Sequence, residues 1–184
     1  PALLGFFVAA AYDSSTGVAG NPDFWSDDFD LIEVFNDSSF DENEELVNDW
    51  FAFLNRGQRK FAVGSSDTHQ VYDIPLGYPR TCARVDMDST SALRSTGPTP
   101  LRDAMAGGHS VVNGGVHVSA THGSGARPGD VVSNAATSET VRVMVQAPQW
   151  VDVDTLRVYV NGVLIETLAL DETTADPLNP VVRF

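Results

Sequence analysis

The 184-residue chain is 42% apolar and 20% charged, with a formal net charge of −14. That is enough for a buried core and excludes wholesale disorder. Eleven Lys and Arg are spread thinly against 25 Asp and Glu. They build no basic patch, which argues against a nucleic-acid partner. No run approaches the ~20 apolar residues of a membrane-spanning helix, so no membrane partner is expected. The acidity suits a secreted, periplasmic or salt-exposed protein. Cys82 is the only cysteine, which rules out a disulfide within the chain and leaves the redox compartment open.

The first thirteen residues, PALLGFFVAAAYD, imitate the apolar region of a signal peptide. They lack an initiator Met and a basic leader, and read instead as the interior of a domain cut open. Residues 23–49 then carry eleven acidic side chains and no Lys or Arg. No D-x-[DN]-x-[DN]-G loop occurs there, so a solvated acidic face is expected rather than a calcium site. Within this run Leu31 to Phe35 predicts a short buried strand with Glu33 embedded. Leu46, Val47, Trp50, Phe51 and Leu54 recur at helical spacing. They predict a helix capped by Asp41 or Asn43 and stopped by Gly57, with Trp50, Phe51 and Leu54 buried.

A strand follows over Lys60 to Gly64, and another over Thr81 to Val85. Thr99-Pro100 opens a short helix through Leu101, Ala104 and Met105, closed by Gly107-Gly108, and His109 to Asn113 reads as a further strand. Strands alternating with helices predict α/β layering around a largely parallel sheet. Beyond Val116 the character changes. Residues 119–138 are rich in Gly, Ser, Ala and Pro and predict a loop-rich joint. Val141, Val143 and Val145 then alternate with Arg142, Met144 and Gln146. Leu156, Val158 and Val160 do the same up to Asn161-Gly162, a strong hairpin signal. The hairpin is expected to pack on Val141, Val143 and Val145. Val181–Phe184 reads as part of a further strand. The expected division is an α/β part at 1–116 and an incomplete antiparallel β module at 117–184.

The stretch FAVGSSDTHQ at 61–70 places Asp67 and His69 two residues apart where an apolar strand ends. On an extended segment their side chains share a face. A carboxylate oxygen and an imidazole nitrogen can then converge on one ion such as zinc, manganese or iron. Sites in α/β sheets form at such strand ends. Glu33 is either an acid supporting the ligands or a strand acid with a local partner. Arg80 either meets an anionic substrate group or simply belongs to a turn. His109 is read as structural, and His117 and His122 as solvent-facing or satisfied imidazoles.

Three stretches, FDLIEVFND at 29–37, FAVGSSDTHQ with LGYPRT at 76–81, and AGGHSVVNGG at 106–115, together resemble PHP (polymerase and histidinol phosphatase) metal-dependent hydrolases, nearest their carbaryl-hydrolase-like CehA/McbA branch. VQAPQWVDVDTLRVYVNG at 145–162 resembles the β extension found in many of them. The resemblance implies the second half of a distorted β/α barrel followed by a small, sandwich-like antiparallel domain. It also implies that Asp67 and His69 ligate catalytic divalent ions (Zn, Mn or Fe). A metal-bound hydroxide would then cleave a phosphoester or a carboxyl or carbamate ester of a small-molecule substrate. The family's His-x-His pair is missing among the four histidines. The remaining ligands are therefore expected from a missing N-terminal half or an associating chain, and the fragment alone is expected to be inactive. The alternative is a non-catalytic extracellular module in which an α/β scaffold carries a β-sandwich for binding.

Overall fold

The computed structural model describes residues 6–37, 40–70, 72, 75–87, 89–133, 137–148 and 150–170; for 40–42 it describes the backbone. The strand expected at Val181–Phe184 and the side chains of Asp41 and Glu42 lie outside the described residues. Helices and strands are mixed, and the strands form two-stranded sheets with no closed barrel among the described residues. No helix among them is long and apolar enough to cross a membrane.

The amino-terminal segment is part of the core. A short helix α1 (Phe6–Ala9) leads into the strands β1 (Tyr12–Asp13) and β2 (Val18–Ala19), which pair antiparallel. Tyr12 stacks against Trp25 at 4.7 Å and 7°, and against Phe53 at 5.1 Å and 3°. Phe29 meets the edge of Phe53 at 81°. Offset and edge-on contacts of this kind add to the area that aromatic rings bury.

The strand β3 (Leu31–Asn36), the helix α2 (Phe40–Asn55) and the strand β4 (Phe61–Ser65) form a βαβ unit with the two strands parallel. Leu31 pairs with Phe61 and Phe35 with Gly64, the register shifting between Glu33 and Phe35. Alternation turns Ile32 and Val34 inward and Glu33 outward. Phe53, with no exposed surface, seals them from α2. The helix therefore turns Asn43, Val47, Trp50 and Phe53 inward. Leu54, expected in the core, is 37% exposed, while Phe51 packs on Tyr159 at 5.6 Å. Helix α2 starts at Phe40, which puts Asp41 and Asn43 inside its first turn rather than at the cap. Asn43 is buried, and its Oδ1 accepts the Asn36 N–H at 2.9 Å, tying α2 to the end of β3.

The strands β5 (Arg80–Ala83) and β6 (Ser110–Asn113) pair antiparallel across the helices α3 (Thr90–Thr96) and α4 (Thr99–Ala106). Ser89 caps α3 by accepting the Ala92 N–H, and Gly97 closes it with φ +72°. Helix α4 buries Ala104 and ends at Gly107-Gly108, where Gly108 adopts φ +74°. Thr81 joins this pair to β4: its hydroxyl accepts the Gly64 N–H and donates to the Gly64 carbonyl, both at 2.8 Å. Strand β6 runs beside β4 in the same direction, Gly108 lying against Phe61 and Val112 against Gly64.

Overlapping the start of the stretch expected as a loop-rich joint, residues 117–122 form a strand, β7 (His117–His122), paired antiparallel with β8 (Val141–Gln146). β9 (Thr155–Val160) and β10 (Val163–Ala169) form the hairpin, turning through Asn161 (φ +52°) and Gly162 (φ +76°). The hairpin meets α2: Tyr159 packs on Phe51, and Asn55 Nδ2 donates to the Asn161 carbonyl at 2.9 Å. Of the residues on which the hairpin is expected to pack, Val145 is buried but Val141 is exposed, and the hairpin's own Val160, Val163 and Ile165 are exposed.

Candidate metal-ligand pair

Beyond Ser65 the chain leaves β4 at the carboxyl end of the parallel pair. Ser66 steadies the exit, its hydroxyl accepting from Thr68 Oγ1 at 3.0 Å and from the Gly77 N–H at 3.2 Å. Asp67 takes a left-handed conformation, φ +45°, a region asparagine and aspartate enter more readily than most residues. The side chains of Asp67 and His69 meet through this turn rather than through strand alternation. His69 Nε2 lies 3.0 Å from Asp67 Oδ1, and the two side chains are 79% and 51% exposed.

Two donor atoms on a tetrahedral zinc, each at about 2.0–2.2 Å, stand about 3.4 Å apart, while neighbours on an octahedral ion of similar radius stand about 3.0 Å apart. The 3.0 Å spacing of Asp67 and His69 suits the second arrangement and reaches the first by a small opening of exposed side chains. The donor types suit a divalent ion, while the 3.0 Å approach is that of a direct ion pair between the two side chains. Among the described residues, however, no cluster of three His, Cys, Asp or Glu surrounds a single point. The pair supplies two ligands, and zinc sites use three or four protein ligands.

Glu33 does not join them. It projects from the outer face of β3, and its Oε2 accepts from Asn36 Nδ2 at 3.0 Å. Arg80 opens β5 opposite Asn113, and its Nε–H donates to Asn113 Oδ1 at 3.2 Å. Because β5 runs against β6, and β6 runs with β4, Arg80 stands at the same end of the strands as Asp67. Asn113 is buried and is shared, its Nδ2 reaching Cys82 Sγ at 3.0 Å.

No family model, curated protein or solved structure matches the chain.

Two polar groupings lie elsewhere. His122 Nε2 is 2.7 Å from Glu139 Oε2, and its Nδ1 accepts the Ser124 N–H, a bond local to the turn after β7. Arg84 Nη2 donates to His109 Nδ1 at 2.7 Å and to Asp130 Oδ1 at 2.8 Å. The Arg84 hydrogen bond holds the Asp130 carboxyl below the usual carboxylate range, helped by the Arg127 N–H. These residues come from three separated segments, and spacing along the chain carries no sign of their meeting.

Proposed function

We propose that Asp67 and His69 are ligands in the site of a PHP-type metal-dependent hydrolase that cleaves phosphoester or carboxyl or carbamate ester bonds. The observation that carries this reading is the exposed carboxylate–imidazole pair, 3.0 Å apart, at the carboxyl end of β4. The sequence resemblance around it supplies the reaction class. In this reading the α/β part is the second half of the barrel, with β3–α2–β4 one of its repeating units. Asp67 and His69 hold Zn, Mn or Fe on the solvent side of the strand end. A divalent ion, when bound, lowers the pKa of water from 15.7 toward about 7 and offsets the negative charge that develops on an ester under attack. Arg80, on the same side, is placed to bind the anionic part of a small ester substrate, with Asn113 fixing its guanidinium. The rest of the ligand set comes from an upstream half or an associating chain.

Metal titration followed by calorimetry tests the assignment. The parent chain binds zinc or manganese weakly, and Asp67→Asn and His69→Ala each weaken binding about tenfold or more. The chain alone shows no turnover of a chromogenic phosphodiester, whereas a chain extended upstream shows it and loses it with either substitution. Unchanged metal affinity in both variants refutes the ligand assignment.

A further inference from the structure

At the opposite end of β4 from Asp67, two clefts meet. The first, about 390 Å³, is lined by Arg84, His109, His117 and Arg127. The second, about 710 Å³, has mainly apolar walls that include Val34, Trp50, Leu54 and Phe61. Ser110, Val111, Val118, Ala120 and Pro128 line both, so the polar end opens onto the apolar one. Sites for small organic molecules have this size and this division, an apolar cavity with a few convergent polar groups.

The donors at the polar end are specific. Arg84 spends Nη2 on His109 and Asp130. His109 Nδ1 also lies 3.4 Å from Asp130 Oδ1, so guanidinium, imidazole and carboxylate form one cluster. Arg127 holds Asp130 through its backbone N–H, and its guanidinium has no protein partner among the described residues. Arg84 and Arg127 outnumber the one carboxylate of Asp130, and Arg59 and Lys60 on the wall of the second cleft add to the positive side, inside a chain of net charge −14. An anionic head suits that excess of positive charge.

We propose that these joined clefts bind a small amphipathic carboxylate, its head on Arg127 and Arg84 and its apolar body lying along Val118 toward Phe61 and Trp50. The site uses neither Asp67 nor His69 and is independent of the hydrolase reading.

The test is calorimetric titration of the full chain, without added metal, with decanoate below its micelle concentration. Decanol and acetate serve as the body alone and the head alone. Decanoate binds saturably, and each comparator binds at least about tenfold more weakly. Arg127→Gln, which removes an exposed guanidinium without a partner among the described residues, weakens decanoate about tenfold or more. Val118→Glu sets a carboxylate in the shared wall and weakens it at least as much. Thermal midpoints of both variants stay near that of the parent, separating lost binding from lost fold. Absence of saturable decanoate binding overturns the proposal, as does equal affinity for decanol or unchanged affinity in Arg127→Gln.

Discussion

Gly64 sits where β4 hands the chain to the candidate ligands, and Gly64→Ala tests how tightly that point is built. A Cβ there would lie 2.5 Å from Val112 Cγ1 and 3.1 Å from the Phe35 carbonyl oxygen. Carbon atoms pack at about 3.5–4.0 Å, so the first contact is short by about 1 Å. Val112 is β-branched and has few rotamers to escape into, and the carbonyl belongs to the backbone. Overpacking of this kind costs about 1–3 kcal/mol. We expect about 2 kcal/mol, read as a fall of roughly 4–8 °C in Tm for a chain of this length and confirmed by urea unfolding. Val112→Ala removes the clashing methyl. Alone it costs about 1 kcal/mol, and combined with Gly64→Ala it costs little more, giving a coupling of about 1 kcal/mol or above. A Gly64→Ala variant within about 0.5 kcal/mol of the parent, or strictly additive losses, would show that β6 does not press on β4 at this point.

Phe53→Ala empties the centre of the aromatic cluster and costs about 3–5 kcal/mol by chemical unfolding, whereas Leu54→Ala on the exposed side of α2 costs far less. Gly162→Ala places a Cβ at φ +76° and 3.1 Å from Phe51 Cβ; we expect at least ~1–2 kcal/mol, with loss of the hairpin's NMR cross-strand contacts. Burial and the charge of Glu45 push the Asp49 carboxyl up from its usual range. With the folded-state pKa raised, ionised Asp49 opposes folding at neutral pH, and stability recovers as pH falls through that pKa. Asp49→Asn therefore raises Tm at pH 7, and its advantage fades below about pH 4.

Where one short window holds both the period and its punctuation, the chain can be read directly. Strand β3, helix α4 and the Asn161-Gly162 hairpin are of this kind. Helix α2 is legible in extent, but its buried face is not: Phe51, Phe53 and Leu54 fit helical spacing on adjacent faces, and only the stacking of Phe53 on Tyr12 decides between them. Strand β7 hides in small residues, because Ala120 and Ser119 carry little β signal until Val143 and Met144 lie opposite them. Asp67 and His69 are visible because they are neighbours in sequence, although their meeting depends on a left-handed turn that alternation does not predict. The Arg84–His109–Asp130 grouping spans 46 residues and exists only once α4 and the segment beyond β7 are in place.

Tyr12 lies between Trp25 and Phe53, with its hydroxyl buried and unpartnered among the described residues. Burial is the main reason its phenol is harder to ionise than usual. The raised folded pKa fixes the sign: stability is intact below the unfolded value of about 10 and falls as pH climbs through the folded one. A phenolate has no place among those rings, so in strong alkali the proton leaves as the rings part. The packing that binds the first strand to the core thus also gives the fold an alkaline edge.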